Sequence, residues 1–418
     1  MKKKFDVIVI GAGTSGMMAA IAAAENGAQV ALFEKNKKPG RKLLMTGGGR
    51  CNVTNNRPVD DLITHIPGNG KFLYSTFSQW DNQDIMTFFI EHGVALKEED
   101  HGRMFPVSNS AKTIVQTLLA ELENLNVTIF FNTAIEKIIS DGEKIQGVRT
   151  EKGDFGGKCV VVTTGGMTYP NTGATGDGYK MAKTLGHHVT PLYPTESAIF
   201  LNDSFITDKT LQGLSLRDVR LTVLNQYNKE VTAHKMDLLF THFGVSGPAA
   251  LRCSGFVNQL LREQSTVTLS LDCLPELSEE AVKEKIAELG ETSNKQLNNA
   301  LSILLPERLL NFFLQKAMLT NKTYREVNEH ELIELINLIK NFQMTATKTL
   351  GLEKSFVTGG GIELKEISPK TLESKKITGL FFAGEVLDVN GYTGGFNITA
   401  AFCTGHVAGT HAAYQSFA

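Results

Sequence analysis

The chain has 418 residues, of which 42% are hydrophobic and 21% charged, with a formal charge of -2. At about 100–200 residues per domain this predicts a globular protein of two or three domains, and the near-neutral charge makes no electrostatic case for nucleic acid or an anionic membrane. The five cysteines, Cys51, Cys159, Cys253, Cys273 and Cys403, form no CxxC pair, and the ten histidines show no metal-ligand spacing; the reading excludes a disulfide framework, predicts no metal and fits a reducing, cytoplasmic compartment.

The basic start, Met1 to Lys4, is followed by an apolar run, Phe5 to Ala24, that imitates a signal peptide. The run is broken by Gly11-Ala12-Gly13-Thr14-Ser15-Gly16, which a signal or membrane segment does not contain. Strand, turn and helix explain it better: residues 5–10 form a buried parallel strand, residues 14–26 an Ala- and Met-rich helix stopped at Gly27, and residues 29–34 the next strand. Residues 36–60 are loop-like and basic around Gly47-Gly48-Gly49. Residues 81–96 and 109–125 are expected to be helical, with Asn109 or Ser110 as the second N-cap. Residues 127–131 and 134–139 are short strands, and 145–150 is expected to pair with 158–163 about Gly153-Asp154.

Pro191 and Pro194 mark a boundary, after which apolar residues alternate with polar ones (Val219, Leu221, Val223; Val267, Leu269, Leu271), the pattern of half-buried antiparallel strands. After Pro275 the pattern turns helical, with a helix start at Ser278, an apolar helical face at Leu297, Leu301, Leu304 and Leu305, and a further helix over about 331–342. From about Lys348 the glycine-rich style returns: residues 379–383 read as a buried strand and 394–412 as a glycine-started helix. The expected architecture is α/β: a Rossmann-type dinucleotide-binding domain split over 1–190 and 346–418, interrupted by a β-rich, barrel-like insert (191–275) and a small helical insert (276–345).

Gly11 to Gly16 is a dinucleotide fingerprint, because it follows a strand and opens a helix. Gly11 permits the tight turn, Gly13 lets the backbone approach a pyrophosphate, and Gly16 lets helix and strand pack closely. Thr14 and Ser15 open the helix, whose N–H groups and positive potential suit phosphate. Glu34 ends the second strand, where its carboxylate can accept ribose hydroxyls and would repel a 2′-phosphate. This unit alone does not choose between FAD and NAD. An FAD molecule is long enough to reach segments far from the fingerprint, and two qualify: Arg41 to Asn52 (RKLLMTGGGRCN) and Ala383 to Ile398 (AGEVLDVNGYTGGFNI).

With GAGTSG at 11–16, GRKLLMTGGGRCNVTN at 40–55, TTGG at 163–166, THFGVSGPA at 241–249, TGGG at 358–361 and AGEVLDVNGYTGGFNITAAFCTGHVAG at 383–409, the chain resembles the BaiN/YhiN-like flavoproteins, also called aminoacetone oxidase-like or NAD(FAD)-utilizing dehydrogenases. The resemblance runs over nearly the whole length. It implies FAD, a barrel-like and a small helical insert, and a redox activity whose substrate varies across the family. Carried onto these positions, it implies that Thr46, Gly47, Gly48, Gly49, Arg50, Cys51 and Asn52 lie along the pyrophosphate and flavin. Lys35 joins the adenosine end, and Arg41 or Lys42 balances phosphate charge. Ala134, on an edge strand, offers its backbone to the adenine, and Thr164, Gly165 and Gly166 close a loop near the adenosine half. Gly384 lets the chain touch the ribitol phosphate side, and Glu385 or Asp388 accepts ribityl hydroxyls. Many flavoproteins of the wider glutathione-reductase-like class have Gly-Asp where this chain has Gly384-Glu385.

Gly394, Gly395, Phe396, Asn397 and Ile398 open the last helix, whose N–H groups can face the flavin N1–C2=O edge and stabilise negative charge there. Cys51 has no nearby cysteine in sequence and reads as a packed thiol rather than half of a redox pair. His242 is the insert's candidate acid or base, though an isolated histidine is often a hydrogen-bonded core residue. Tyr392 can cover the ring or donate a proton, and packing explains it equally well. Gly173 to Gly178 reads as a structural loop that lets the following helix begin. The expected function is an FAD-dependent oxidoreductase acting on a small molecule through flavin N5. Two enzyme readings stay open, an NAD(P)H-dependent reductase of a conjugated C=C bond and an H2O2-producing oxidase of a small amine, beside a non-catalytic flavin sensor. No nucleic-acid or membrane partner is expected, and the oligomeric state is not legible.

Overall fold

The computed structural model describes residues 4–292 and 295–418, so the first three residues of the basic start lie outside the described residues. By internal contacts the chain divides into two compact units, Met1–Tyr193 with Leu352–Ala418, and Pro194–Gly351.

The first unit opens with β1 (Lys4–Ile10), whose Val7, Ile8 and Val9 are fully buried, as a central parallel strand requires. α1 (Thr14–Glu25) follows after the Gly11–Gly13 turn, and β2 (Val30–Phe33) pairs parallel to β1. α2 (Val59–Thr64) is short. α3 (Asn82–Glu91) is shorter than the 81–96 expected, because Gly93 takes a left-handed φ of 80° and Leu96–Glu99 becomes a strand antiparallel to Arg103–Pro106. α3 starts at a reciprocal cap between Asp81 and Asp84. α4 (Ala111–Asn124) precedes β3 (Thr128–Phe130), β4 (Ile135–Ser140), β5 (Ile145–Thr150) and β6 (Gly153–Val162). The hairpin departs from expectation. β5 pairs with residues 153–156, so its turn is Glu151-Lys152. Residues 159–162, fully apolar and buried, pair parallel with β1 instead. One long strand thus serves both an antiparallel edge and the parallel core. α5 (Asp177–Thr184) begins after Gly176, at φ 79°.

In the second unit, β7 (Ile199–Leu201), β8 (Ser215–Leu224), β9 (Glu230–Phe240), β10 (Gly244–Ser246), β11 (Val267–Asp272) and β12 (Phe342–Thr349) form a closed antiparallel barrel in the order β7-β10-β9-β8-β11-β12. α6 (Pro248–Leu260) lies between β10 and β11 in the chain. Between β11 and β12 come α7 (Glu279–Glu291), capped by Ser278, α8 (Glu307–Lys316) and α9 (Glu329–Lys340). Leu297, Leu301 and Leu305 are buried as their spacing suggests, but only Leu297–Ala300 is α-helical before Pro306 restarts the chain as α8. β12 straddles the boundary drawn at 345/346, and barrel and helices share one hydrophobic cluster from Ile199 to Ala346.

The chain then returns to the first unit. β13 (Leu380–Phe382) pairs parallel with β6, completing a seven-stranded sheet, β3-β2-β1-β6-β5-β4 with β13 on β6. α10 (Phe396–Phe417) ends the chain. It packs on α1 at backbone distance: a Cβ on Gly405 would lie 2.4 Å from Ser15 O, and one on Gly409 2.1 Å from Ala19 O. Small residues on both helices are what permit this approach.

Candidate functional site

The fingerprint turn is held from three sides. Gly11 has φ 102°, and its N–H donates to Phe33 O. Gly16 is the packing position, since a Cβ there would sit 1.8 Å from Gly11 O. Gly13, the N-cap of α1, has no atom within 4 Å of its Cβ direction, and neither a side-chain cap nor an acidic residue occupies the first turn of the helix. The start of α1, Thr14 and Ser15 included, is therefore shaped and polarised for an anion. Glu34 is 7% exposed; its Oε2 accepts from Ala12 N (2.9 Å), and its Oε1 accepts from Asn36 N and Nδ2 (both 2.7 Å). The carboxylate thus ties β2 to the phosphate turn, where the adenosine ribose is expected.

The distant C-terminal motif reaches the same helix. A Cβ on Gly384 would fall 2.4 Å from Ser15 Oγ, and Gly384 N donates to Thr404 Oγ1. Gly394 and Gly395 have φ 131° and 101°, and α10 starts from Gly395 without a side-chain cap or an acid in its first turn. Gly395 lies against Thr54 and Asn52, and Asn55 Nδ2 donates to Gly394 O (2.9 Å). Thr54 and Thr399 share a buried hydroxyl hydrogen bond of 2.7 Å. Asn397 pins the preceding turn, accepting from Gly391 N and donating to Gly391 O. Ile398 is half-buried and Tyr392 is buried. The GGGRCN loop and the last helix therefore meet, as one flavin spanning both would require.

Several predicted phosphate or ribityl groups have protein partners. Lys42 Nζ donates to Glu385 Oε2 and Thr168 Oγ1, both at 2.7 Å, and Glu385 Oε1 accepts from Thr358 N (3.0 Å). Burial opposes charge on Glu385, but Lys42 and the Thr358 and Gly166 N–H groups hold its carboxyl below the usual range. Gly165 and Gly166 sit beside this node. Asp388 Oδ2 accepts from Thr190 Oγ1 (3.0 Å). Arg41 Nη1 donates to Asn36 Oδ1, Lys35 pairs with Asp177 (2.6 Å), and Arg50 pairs with Glu99 (2.8 Å) while covering the Phe105 ring. Ala134 is exposed and precedes β4 by one residue rather than lying on the strand. Its neighbour Thr133 donates from N to Glu34 O (3.0 Å).

Cys51 is fully buried at φ 62°, and burial pushes its thiol up to about 12 despite a hydrogen bond with Thr46. It is a neutral packed thiol at neutral pH. His242 is exposed in the turn between β9 and β10, in the second unit, edge-on to Phe243. Gly48 and Gly49 face open space, and Asn52 Oδ1 and Thr164 Oγ1 are buried with no hydrogen-bond partner among the described residues. Unfilled room beside glycines and unsatisfied buried polar atoms at the same motifs fit a bound dinucleotide cofactor. Sequence reasoning missed Thr54, Thr168, Thr358, Thr399 and Thr404, whose contacts are set by tertiary structure alone. It also missed Arg57, Asp61 and His65, whose spacing at every fourth residue was a legible signal. Among the described residues, no group of His, Cys, Asp and Glu is placed to hold a metal, and no helix is long and apolar enough to cross a membrane.

This fold and these motifs define a Rossmann-type, FAD-dependent oxidoreductase. The chain matches the HI0933-like protein Rossmann domain over residues 5–411, and it belongs to that family. It is 31% identical over 410 residues to a ribosomal RNA dihydrouridine synthase of Haemophilus influenzae, covering 97% of this chain and 98% of that protein. A 3-dehydro-bile acid delta(4,6)-reductase of Clostridium scindens is 28% identical, covering 97% and 98% of the two chains. In fold, the chain is similar to a flavocytochrome c3 fumarate reductase in its open conformation (TM-score 0.55, 17% identity, covering 100% of this chain and 79% of that one). It is also similar to the 3-ketosteroid delta1-dehydrogenase of Sterolibacterium denitrificans (TM-score 0.53, 14% identity, covering 99% and 100%).

Proposed function

We propose that this protein is an FAD-dependent reductase of a C=C bond conjugated to a carbonyl, with NAD(P)H as electron donor and a uridine base in ribosomal RNA as substrate. The structural observation that carries the flavin part is the meeting of two glycine-opened helices, α1 and α10, packed backbone to backbone with both N-termini free of side-chain caps. The substrate part draws on full-length likeness to relatives named for dihydrouridine synthesis and delta(4,6) reduction. Both names describe saturation of a C=C bond, and uracil C5=C6, conjugated to C4=O, is of that kind. A net charge near zero is a sum over the surface and does not exclude a local basic path for RNA.

Bound FAD supplies hydride transfer at N5. The residues do the rest. The start of α1 and Gly13 would hold the pyrophosphate, and Glu34 the ribose. The Lys42–Glu385 node fixes the 36–60 loop to the C-terminal motif. The N-terminus of α10 would oppose negative charge on the pyrimidine edge of the isoalloxazine with a fixed dipole, which requires no reorganisation during the reaction. The Asn397 and Thr54–Thr399 contacts keep that helix start in place.

The test is purified protein mixed anaerobically with NADH or NADPH, followed by addition of ribosomal RNA from cells lacking this protein and nucleoside mass spectrometry. The expected result is a yellow protein, bleached by one nicotinamide cofactor and reoxidised by RNA with formation of dihydrouridine. A flavin inert to both nicotinamides, with peroxide released from a small amine, would replace this reading with the oxidase.

A further inference from the structure

A charged relay leads into the turn that opens α10. Arg57 Nη1 donates to Asp61 Oδ2 at 2.6 Å, and Asp61 Oδ1 lies 3.2 Å from His65 Nδ1, which is also 2.8 Å from Asp61 O. Both Asp61 atoms are acceptors, so Nδ1 carries hydrogen and Nε2 is the nitrogen through which the ring would exchange a proton. The ring stacks on Phe396, the first residue of α10, at 4.6 Å and 18°, and Tyr392 meets its edge at 6.3 Å. The backbone locks the same pieces together. Tyr392 N donates to His65 O (3.0 Å), and Gly68 and Asn390 exchange both N–H···O bonds, at 2.9 and 3.1 Å. Asn69 Nδ2 adds a bond to Asp388 O (2.8 Å). Burial opposes charge on Asp61, but Arg57 and His65 hold its carboxyl below the usual range, so it faces the ring as a carboxylate.

The bond to Asp61 O caps α2, as His92 caps α3 through Phe88 O (2.7 Å); what sets His65 apart is the Arg57-backed carboxylate together with its place against Phe396, the residue that opens α10. We infer that His65 is the acid that protonates the substrate carbon next to the carbonyl, with Asp61 and Arg57 as positioning residues. The inference rests on the reductase reading. In that reduction the C=C π bond breaks, and the carbon β to the carbonyl takes a hydride whose source is NAD(P)H. The resulting enolate takes, at the α carbon, the Nε2 proton of the His65 imidazolium, which leaves the neutral ring with its hydrogen on Nδ1. The substrate gains one hydride and one proton, NAD(P)H is oxidised to NAD(P)+, and the imidazole recovers its proton from water. In uridine the hydride would go to C6 and the proton to C5.

His65→Phe keeps a ring on Phe396 and removes the proton. In the holoprotein we expect unchanged flavin content and unchanged flavin reduction by NAD(P)H, with reoxidation by substrate slowed about 100-fold or more, the usual weight of a general acid. Asp61→Asn should move the basic limb of the reoxidation pH profile to lower pH, because a carboxylate stabilises the protonated ring. The groups bearing on the ring include Asp61 and Thr64 on α2, Arg57 just before it, Tyr392 on the turn, and uncharged Phe396 on α10. Nitrogen NMR of histidine-labelled protein, with the His65 signals identified by their loss in His65→Phe, should show, without any turnover, an imidazolium that becomes the Nδ1–H tautomer as pH rises. Reoxidation of His65→Phe within threefold of wild type, or an Nε2–H tautomer, would overturn the inference. If the wild-type flavin is reduced but no C=C substrate reoxidises it, the reductase reading fails instead, a result distinct from a wild type that works beside an unimpaired variant.

Discussion

The two compact units bury their interiors differently. The barrel-and-helix unit has one apolar cluster to which strands and helices both contribute, with Leu221, Leu269, Phe240 and Phe313 fully buried. In the other unit, backbone approaches backbone through glycine. Among the described residues, buried polar atoms of Asn52, Asn55, Thr164 and Asn390, all in or beside the predicted flavin motifs, have no hydrogen-bond partner; single atoms of Thr76, His187 and Thr410 in this unit and of Asn298 in the other share that state away from the motifs. Leaving a buried polar atom unpaired costs about 1–3 kcal/mol, so such atoms in one neighbourhood indicate groups shaped for something the polypeptide does not supply. The barrel interior is closed chiefly by apolar packing, whereas the glycine-lined one is expected to be completed by its cofactor. Substitutions in the two should therefore move different observables.

The largest contrast lies within one turn. Gly16→Val places a side chain 1.8 Å from Gly11 O, a backbone atom that cannot step aside. It should destabilise the fold by more than about 4 kcal/mol, seen as loss of soluble protein or of a cooperative melt. Gly13→Val meets no atom within 4 Å at φ -85°, a value open to any residue. Its melting without added flavin should match wild type, while FAD no longer co-purifies. Flavin-to-protein absorbance together with thermal melts separates the two, and FAD retained by Gly13→Val would remove the phosphate from this turn.

The converse belongs to the barrel unit. Phe313 on α8 is fully buried and its ring centroid lies 5.2 Å from that of Phe342 on β12. Phe313→Ala should cost about 3–5 kcal/mol of stability, measured by denaturant titration, with the ratio of FAD to folded protein unchanged. A fall in that ratio would mean the two interiors are not separable as drawn.

The first βαβ unit was legible because local rules act alone there: an apolar β-branched run, three glycines and an acid at the strand end. The antiparallel barrel strands were legible from alternation, and the last helix from Gly394-Gly395 followed by small residues. Errors arose where pairing partners compete. Residues 158–163 look like a hairpin arm, but the continuous burial of 159–163 suits the central parallel sheet better. The end of the helical insert was misplaced because the strand Phe342–Thr349, which does alternate with Phe342, Met344 and Ala346 buried, follows the helix Glu329–Lys340 almost directly, and Phe342 fits the helical pattern as well. In the site, charge type was readable but partner choice was not. Lys42 was offered, as an alternative to Arg41, for phosphate and Glu385, as an alternative to Asp388, for ribityl hydroxyls; their pairing with each other at 2.7 Å was not foreseen. Nothing local tells a lysine that its counterion lies near the other end of the sequence.

The smallest predicted effect sharpens the comparison through acid. His406 on α10 stacks on Trp80 at 4.5 Å and 4°, and burial pushes its imidazole down to about 4 from an ordinary 6.5. Burial likewise lowers His187, in the same unit. Below pH 6.5 the unfolded chain takes up a proton at His406 that the folded chain refuses until about pH 4. The unfolded state therefore binds more protons in that window, and stability falls as pH falls. From this residue alone, the loss between pH 7.5 and pH 5 should be about 2 kcal/mol. His406→Phe keeps a ring against Trp80 and has nothing to titrate, so its stability should be flatter with pH over that range, read from denaturant midpoints at matched ionic strength. Parallel pH curves for the two proteins would mean that water reaches the imidazole. The close packing of α10 against its neighbours, on which the placement of its N-terminus depends, would then be looser than the glycine contacts with α1 imply.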